Sequence, residues 1–190
     1  MKRILMTFLF SLVGLFAMAQ TEHMTFKGVP IDGKLEIFIS KLVKQGFTVE
    51  YQTDNGAILE GEFAGKSNCS VIVVTTQISK IVWKVAVQFP KKSSWYSLKD
   101  EYQTFKTSYT NKYGKPKSYE FFSKPYYEGD GYELQALRNK KCSYISFFAT
   151  EQGSIVLELN SDEEVQVGYE DGINSEVAQQ EKKQIVSDDI

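Results

Sequence analysis

An amphipathic helical stripe, stopped by glycine and followed by β-rich runs, occurs twice in this chain and constrains its fold more than any other feature. In the first occurrence Leu35, Phe38, Ile39, Leu42 and Val43 recur at helical spacing behind Asp32, a favourable N-cap, and Gly46 ends the run. In the second, Trp95, Leu98, Tyr102, Phe105, Tyr109 and Tyr113 form one apolar stripe, opened by Ser93-Ser94 and closed by Gly114 and Pro116. One such helix can cover one face of a four-stranded sheet.

The runs that follow supply that sheet. Strands are predicted over 48–52, 57–63, 69–77 and 80–89 in the first half, with Asp54-Asn55-Gly56 as a tight turn. In the last of these, Ile81, Trp83, Val85, Val87 and Phe89 alternate with Lys80, Lys84 and Gln88, the period of a half-buried antiparallel strand. The second half predicts strands over 117–123, 132–139, 142–150 and 154–160. Short edge strands are expected near 24–27 and 165–169. Cys69-Ser70 and Cys142-Ser143 open matching strands, each with Ile at the fourth position, and 126–131 reads as an insertion. The fold class expected is α+β: tandem helix-plus-four-strand repeats, about 24–89 and 93–170, forming one antiparallel sheet with both helices on one face and the other face open. Residues 171–190 are polar, and Val177, Ile185 and Val186 support either a short helix or a disordered tail.

The N-terminus sets the compartment. Lys2 and Arg3 precede an apolar run from Ile4 to Phe16, and Ala17-Met18-Ala19 offers the small residues of a cleavage site. Residues 1–19 therefore read as a signal peptide, leaving a domain at 20–170 and its tail in the periplasm or the medium. The apolar run is shorter than the roughly 20 residues of a bilayer span, so no membrane span is expected after its removal. The formal charge of −2 becomes more negative once Lys2 and Arg3 leave. No basic face exists to bind nucleic acid. An oxidising compartment permits a Cys69–Cys142 disulfide. Equivalent positions in a duplicated sheet would instead stand too far apart to bridge, leaving two free thiols.

The tandem plan resembles the β-lactamase-inhibitor-protein-like fold, in topology rather than in motif. The segment from His23 to Gly33, after a leader, is similar to the start of many small exported envelope proteins of Gram-negative bacteria. That resemblance implies a protein-binding or scaffolding role across the open sheet face.

Catalytic chemistry finds little support. The single histidine, His23, lies near the mature N-terminus, where no rigid frame orients a nucleophile's base. Two cysteines with no second pair do not make a zinc site. Glu60 and Glu62 share one strand face about 7 Å apart, a spacing compatible with glycoside hydrolysis but also with an ordinary solvated face. Glu128 and Asp130 read as turn residues, and Asn160, Asp162, Glu163 and Glu164 as a hairpin turn that lacks the pattern of a calcium loop. No nucleotide loop or other cofactor motif is present, so no cofactor is expected. The functional lead is aromatic: Tyr126 and Tyr127 in the inserted loop, with Trp95 and Tyr96 at the start of the second helix, offer contact area to a protein, a peptide or a glycan. Trp95 is equally in phase with the core stripe. The expected function is a non-enzymatic protein- or peptide-binding domain, with a small-ligand or glycan-binding protein as the alternative.

Overall fold

The computed structural model describes residues 22–188; the predicted leader, residues 1–19, lies outside that range. A two-stranded hairpin, β1 (Thr25–Phe26) and β2 (Val29–Pro30), leads into helix α1 (Leu35–Val43). A meander follows: β3 (Thr48–Thr53), β4 (Gly56–Phe63), β5 (Lys66–Thr75) and β6 (Val82–Gln88). Helix α2 (Trp95–Tyr113) then precedes β7 (Lys117–Phe122), the short helix α3 (Glu133–Arg138), β8 (Cys142–Thr150), β9 (Gly153–Leu159), β10 (Val165–Asp171) and a final helix α4 (Gly172–Asp188).

Eight strands form one antiparallel sheet in the order β3-β4-β5-β6-β10-β9-β8-β7. The register explains why this chain folds as it does. Leu59, Val71, Val87, Val167, Leu157, Ser146 and Ser118 stand opposite one another in a single row crossing seven strands. A second row on the same side runs Ala57, Val73, Val85, Tyr169, Ile155 and Phe148. Nearly all of these are buried, in one core with Leu35, Phe38, Ile39 and Leu42 of α1 and Leu98, Tyr102, Phe105 and Tyr109 of α2. Full burial of each large apolar side chain contributes about 1.5–3 kcal/mol, so these rows are the main source of cohesion. The intervening residues point the other way: an apolar row of Ile58, Ile72, Ala86, Gly168, Val156 and Phe147 runs beside polar pairs. Gln88 donates to Gln166 at 3.1 Å, Gln166 donates to Glu158 at 2.9 Å, and Lys84 pairs with Glu170 at 2.7 Å.

Three expectations are corrected, and the alternatives left open for the tail are decided. The 132–139 segment is helix α3, not a strand: Glu133, Leu134, Gln135, Ala136, Leu137 and Arg138 are all strong helix formers, and Ala136 and Leu137 are buried. The run at 165–169 is not an edge strand but β10, paired on both sides at the centre of the sheet. The polar tail is α4, which Asp171 caps by accepting the Asn174 N–H at 2.8 Å. Helix α1 begins at Leu35 behind an extended Lys34 whose side chain makes no cap bond, and Asp32 serves another purpose. It accepts the Asn174 side-chain amide at 3.0 Å. Burial works against its ionised form, but the Asn174 amide and the Gly33 N–H hold its carboxyl below the usual range.

Both thiols are free. Cys69 lies on β5 and Cys142 on β8, four strand spacings apart, so about 19 Å of sheet separates them and no disulfide links them. Helix α2 follows its prediction closely: Ser94 caps it by accepting the Ser97 N–H at 3.2 Å, and Gly114 ends it at a φ of 85°. No helix among the described residues is long and apolar enough to cross a membrane.

Candidate binding cavity

A large concavity opens along α2. Its helical wall is the face carrying Ser97, Glu101, Thr104, Phe105, Ser108 and Tyr109, residues three or four apart and therefore stacked on one side. The opposing wall is the turn joining β4 to β5, where Phe63 and Lys66 pair across Ala64-Gly65. Ala64 and Gly65 both take positive φ, 51° and 74°, the pattern of a two-residue hairpin turn matched to strand twist. Tyr169 on β10, Tyr113 and Lys92 also line it. Its volume is about 650 Å³. That lies within the roughly 300–1,000 Å³ of small-ligand clefts.

The walls are largely aromatic. Phe63 meets Tyr169 edge-on at 6.3 Å and Phe89 at 6.1 Å, and Phe89 packs on Phe105 at 4.3 Å. Tyr109 stacks on Tyr113 at 5.8 Å, and its hydroxyl bonds that of Tyr169. Burial pushes the Tyr109 phenol up to about 12 and Tyr169 further still, so both hydroxyls stay protonated at any physiological pH.

Charge enters from the other side. Glu101 is only 6% exposed, yet its Oε1 forms ion pairs with Lys66 Nζ at 3.1 Å and Lys92 Nζ at 3.0 Å. Its Oε2 is the one buried side-chain oxygen or nitrogen without a hydrogen-bond partner among the described residues. Buried polar atoms are normally satisfied, and an open carboxylate oxygen is more costly than a neutral one. Asp100 and Lys112 add exposed charges at the rim.

The sequence-predicted aromatics do not form one site. Tyr96, 81% exposed, stands at the mouth of the cavity. Trp95 turns inward, edge-on to Phe122 at 5.4 Å and to Tyr144 at 5.2 Å. Tyr126 packs against the core margin, and its hydroxyl accepts the Gln135 and Asn139 amides at 3.2 and 3.1 Å. Tyr127 is exposed on the far loop. Glu60 and Glu62 are exposed on β4, on the side opposite Leu59. Glu128 is paired with Lys99, and Asp130 accepts the Tyr127 and Tyr132 N–H groups at 3.0 and 2.7 Å. Asn160 closes its turn by accepting the Asp162 and Glu164 N–H groups, both at 3.0 Å, while buried Glu163 pairs with Lys91 and Arg138. His23 contacts Asp171 at 3.1 Å and Asp32 at 3.5 Å, binding the lead-in segment to the end of β10 and to the residues before α1. Among the described residues no group of three or more potential metal ligands forms.

Sequence reasoning did not single out Glu101, Lys66 or Lys92. Glu101 occupies a buried helix position next to Tyr102 in the apolar stripe, and a charged residue there is a signal of special use. Its two lysines arrive from separate segments, which no local pattern reveals. A second buried polar set was also hidden. Ser146 interrupts the apolar row and shares contacts with Tyr102 at 2.7 Å and Ser118 at 2.8 Å, and Tyr102 donates to Glu120 at 3.1 Å.

No protein-family model matches the chain, and neither does a curated protein or a solved structure.

Proposed function

We propose that this chain is an exported, non-enzymatic binding domain, periplasmic or secreted, and that the cavity along α2 receives a segment of a partner protein. The observation that carries the reading is the cavity itself: about 650 Å³ of aromatic-walled space with charged groups at its mouth. Such clefts are where proteins hold small ligands and anchor side chains. The frame in which it sits reads as a duplication. Each half is a helix followed by a four-stranded meander, and the two meet antiparallel at β6 and β10. On this reading α1 and α2 cover one side of the sheet, as in the β-lactamase-inhibitor-protein-like plan, and α3 is an addition to the second half. The contact region then moves from the open face and its rim loops to the α2 cavity, with Tyr96 at its rim.

Selection of a random peptide library on the protein, beside a Thr104→Trp variant, tests this. Thr104 is an exposed residue of the cavity wall, so an indole there fills the space without touching the core. Enriched peptides that bind the parent and lose at least tenfold in affinity for Thr104→Trp support the reading. Absence of any enriched family, or binding untouched by the blocking residue, refutes it. A small-molecule ligand is a second reading favoured by the same volume. A compound that raises the melting temperature of the parent but not of Thr104→Trp, with no peptide doing so, would establish it.

A further inference from the structure

The sheet ends in two unlike edges. β3 carries a register shift between Val49 and Tyr51, an irregularity of the kind that keeps an edge from pairing further. β7 carries none: its six residues pair with β8 alone, in unbroken register, and five of the six are exposed. We infer that β7 is a docking edge, separate from the α2 cavity, at which an extended acidic segment of a partner protein adds antiparallel as a further strand of the sheet.

The main chain supplies the bonds. Ser123 N–H donates to Lys141 O at 2.7 Å, in the same register that sets Phe122 opposite Cys142. Antiparallel pairs alternate between bonded and unbonded, so Phe121, Tyr119 and Lys117 turn their main-chain groups toward β8. Ser118, Glu120 and Phe122 turn theirs to the open edge, a row of donors and acceptors that an extended peptide can pair with. The side chains distinguish the two faces of an added strand. Tyr119 and Phe121 lie on the outer face, 43% and 53% exposed, with Phe147 edge-on to Tyr119 at 6.3 Å. Ser118 and Glu120 lie on the other face, in the row that carries Ser146. β-branched residues suit the first set of neighbours and polar residues the second.

Charge selects the partner. Lys115, Lys117 and Lys124 stand at the two ends of β7, and Lys141 lies beside Ser123. All four are exposed, and none forms an ion pair among the described residues. Glu120, the single acid between Lys115 and Lys124, is already paired with Lys106. The edge is therefore positive on a chain whose formal charge is −2. Carboxylates at both ends of an incoming strand meet these ammonium groups, which steers the encounter and fixes the register. A second copy of this chain fits worse. Pairing two β7 strands antiparallel about Tyr119 brings each Lys115 beside the other copy's Lys124, and pairing about Glu120 sets two carboxylates opposite each other.

Fluorescence anisotropy of a labelled nonapeptide, Asp-Asp-Thr-Val-Thr-Val-Thr-Asp-Asp, tests the inference. Laid antiparallel with its valines beside Tyr119 and Phe121, it turns the threonine N–H groups toward β7 and the valine N–H groups away. N-methylating the three threonines should weaken binding at least tenfold, and N-methylating the two valines less than threefold; any other pattern overturns the inference. Replacing the four aspartates by lysines should also cost at least tenfold. The double variant Lys117→Glu with Lys124→Glu, both at exposed positions, should reverse that preference, and an unchanged preference overturns the inference. Thr104→Trp should leave the affinity within threefold, whereas loss of binding there would put the peptide in the α2 cavity and overturn the edge assignment. Sedimentation of the protein alone as a dimer that the peptide dissociates would give the edge to a second copy and overturn it as well. With no binding of the parent peptide this inference fails, and the cavity reading is still decided by its own library selection.

Discussion

Replacing Asn174 by alanine should destabilise the whole domain, because this one side chain holds the last helix, the first strands and the sheet together. The Asn174 amide is buried, and its two hydrogens are shared among Ile31 O at 3.1 Å, Val82 O at 3.1 Å and Asp32 Oδ1 at 3.0 Å. Alanine removes all three contacts and leaves main-chain oxygens on two separate elements short of a donor. Stranding buried acceptors costs about 1–3 kcal/mol, so a loss near ~2 kcal/mol is expected. For a domain of this size that corresponds to a fall in melting temperature of about 4–8 °C. Urea unfolding followed by circular dichroism, with Gln179→Ala on the exposed side of α4 as the control, measures it. The control should stay within about 0.5 kcal/mol of the parent. A loss below that margin for Asn174→Ala would mean that α4 is an appendage rather than part of the core, and the reasoning would fail.

Three further outcomes follow from the same geometry. Burial, with the Glu128 and Glu133 carboxylates nearby, pushes the Cys142 thiol up to about 12, and burial raises Cys69 as well; neither should react with an aromatic disulfide reagent near pH 7.5 until urea unfolds the chain. Glu181 accepts the Ile78 N–H at 2.6 Å and the Ser79 N–H at 3.0 Å. Against the opposing effect of burial, the Ser79 hydroxyl and these N–H groups hold its pKa below the ordinary 4.5, so its contribution is complete above that value and is lost as pH falls through the lower folded value. Glu181→Gln should therefore cost about 1–2 kcal/mol at pH 7 and progressively less as the pH falls below 4.5, in melts across the acid range. A Cβ at Gly61 would lie 2.4 Å from the buried Phe47 ring, so Gly61→Ala should lose about 1–3 kcal/mol in the same urea assay, and an unchanged midpoint would show that the ring moves freely.

What the sequence made legible follows from how local each determinant is. Helix α2 could be read in full, since its cap, stripe and stop all lie within one stretch, from Ser94 to Gly114. The strands of the first meander were found to within a few residues, and in β6 the expected phase holds at Val85 and Val87, both buried; at its start a register shift opposite Val74 and Thr75 buries Val82 and leaves Trp83 half exposed, and alternation alone gives no sign of it. Helix α3 was lost because its length barely exceeds one turn and strands were expected on either side. The Asp171-Gly172-Ile173-Asn174 cap was present in the sequence, yet polar composition outweighed it, because α4 is held by buried polar contacts rather than by an apolar stripe. The site was the least legible part. Its residues come from α2, the β4–β5 turn, the β6–α2 connection and β10, and only the sheet order brings them together.

The account turns on whether the cavity along α2 is occupied by a partner's side chain. A crystal structure of the protein with a peptide from the library selection measures this directly. The expected result is a partner side chain seated among Phe63, Phe105 and Tyr113. A peptide lying instead across the outer face of the sheet, with the α2 cavity untouched, would contradict it.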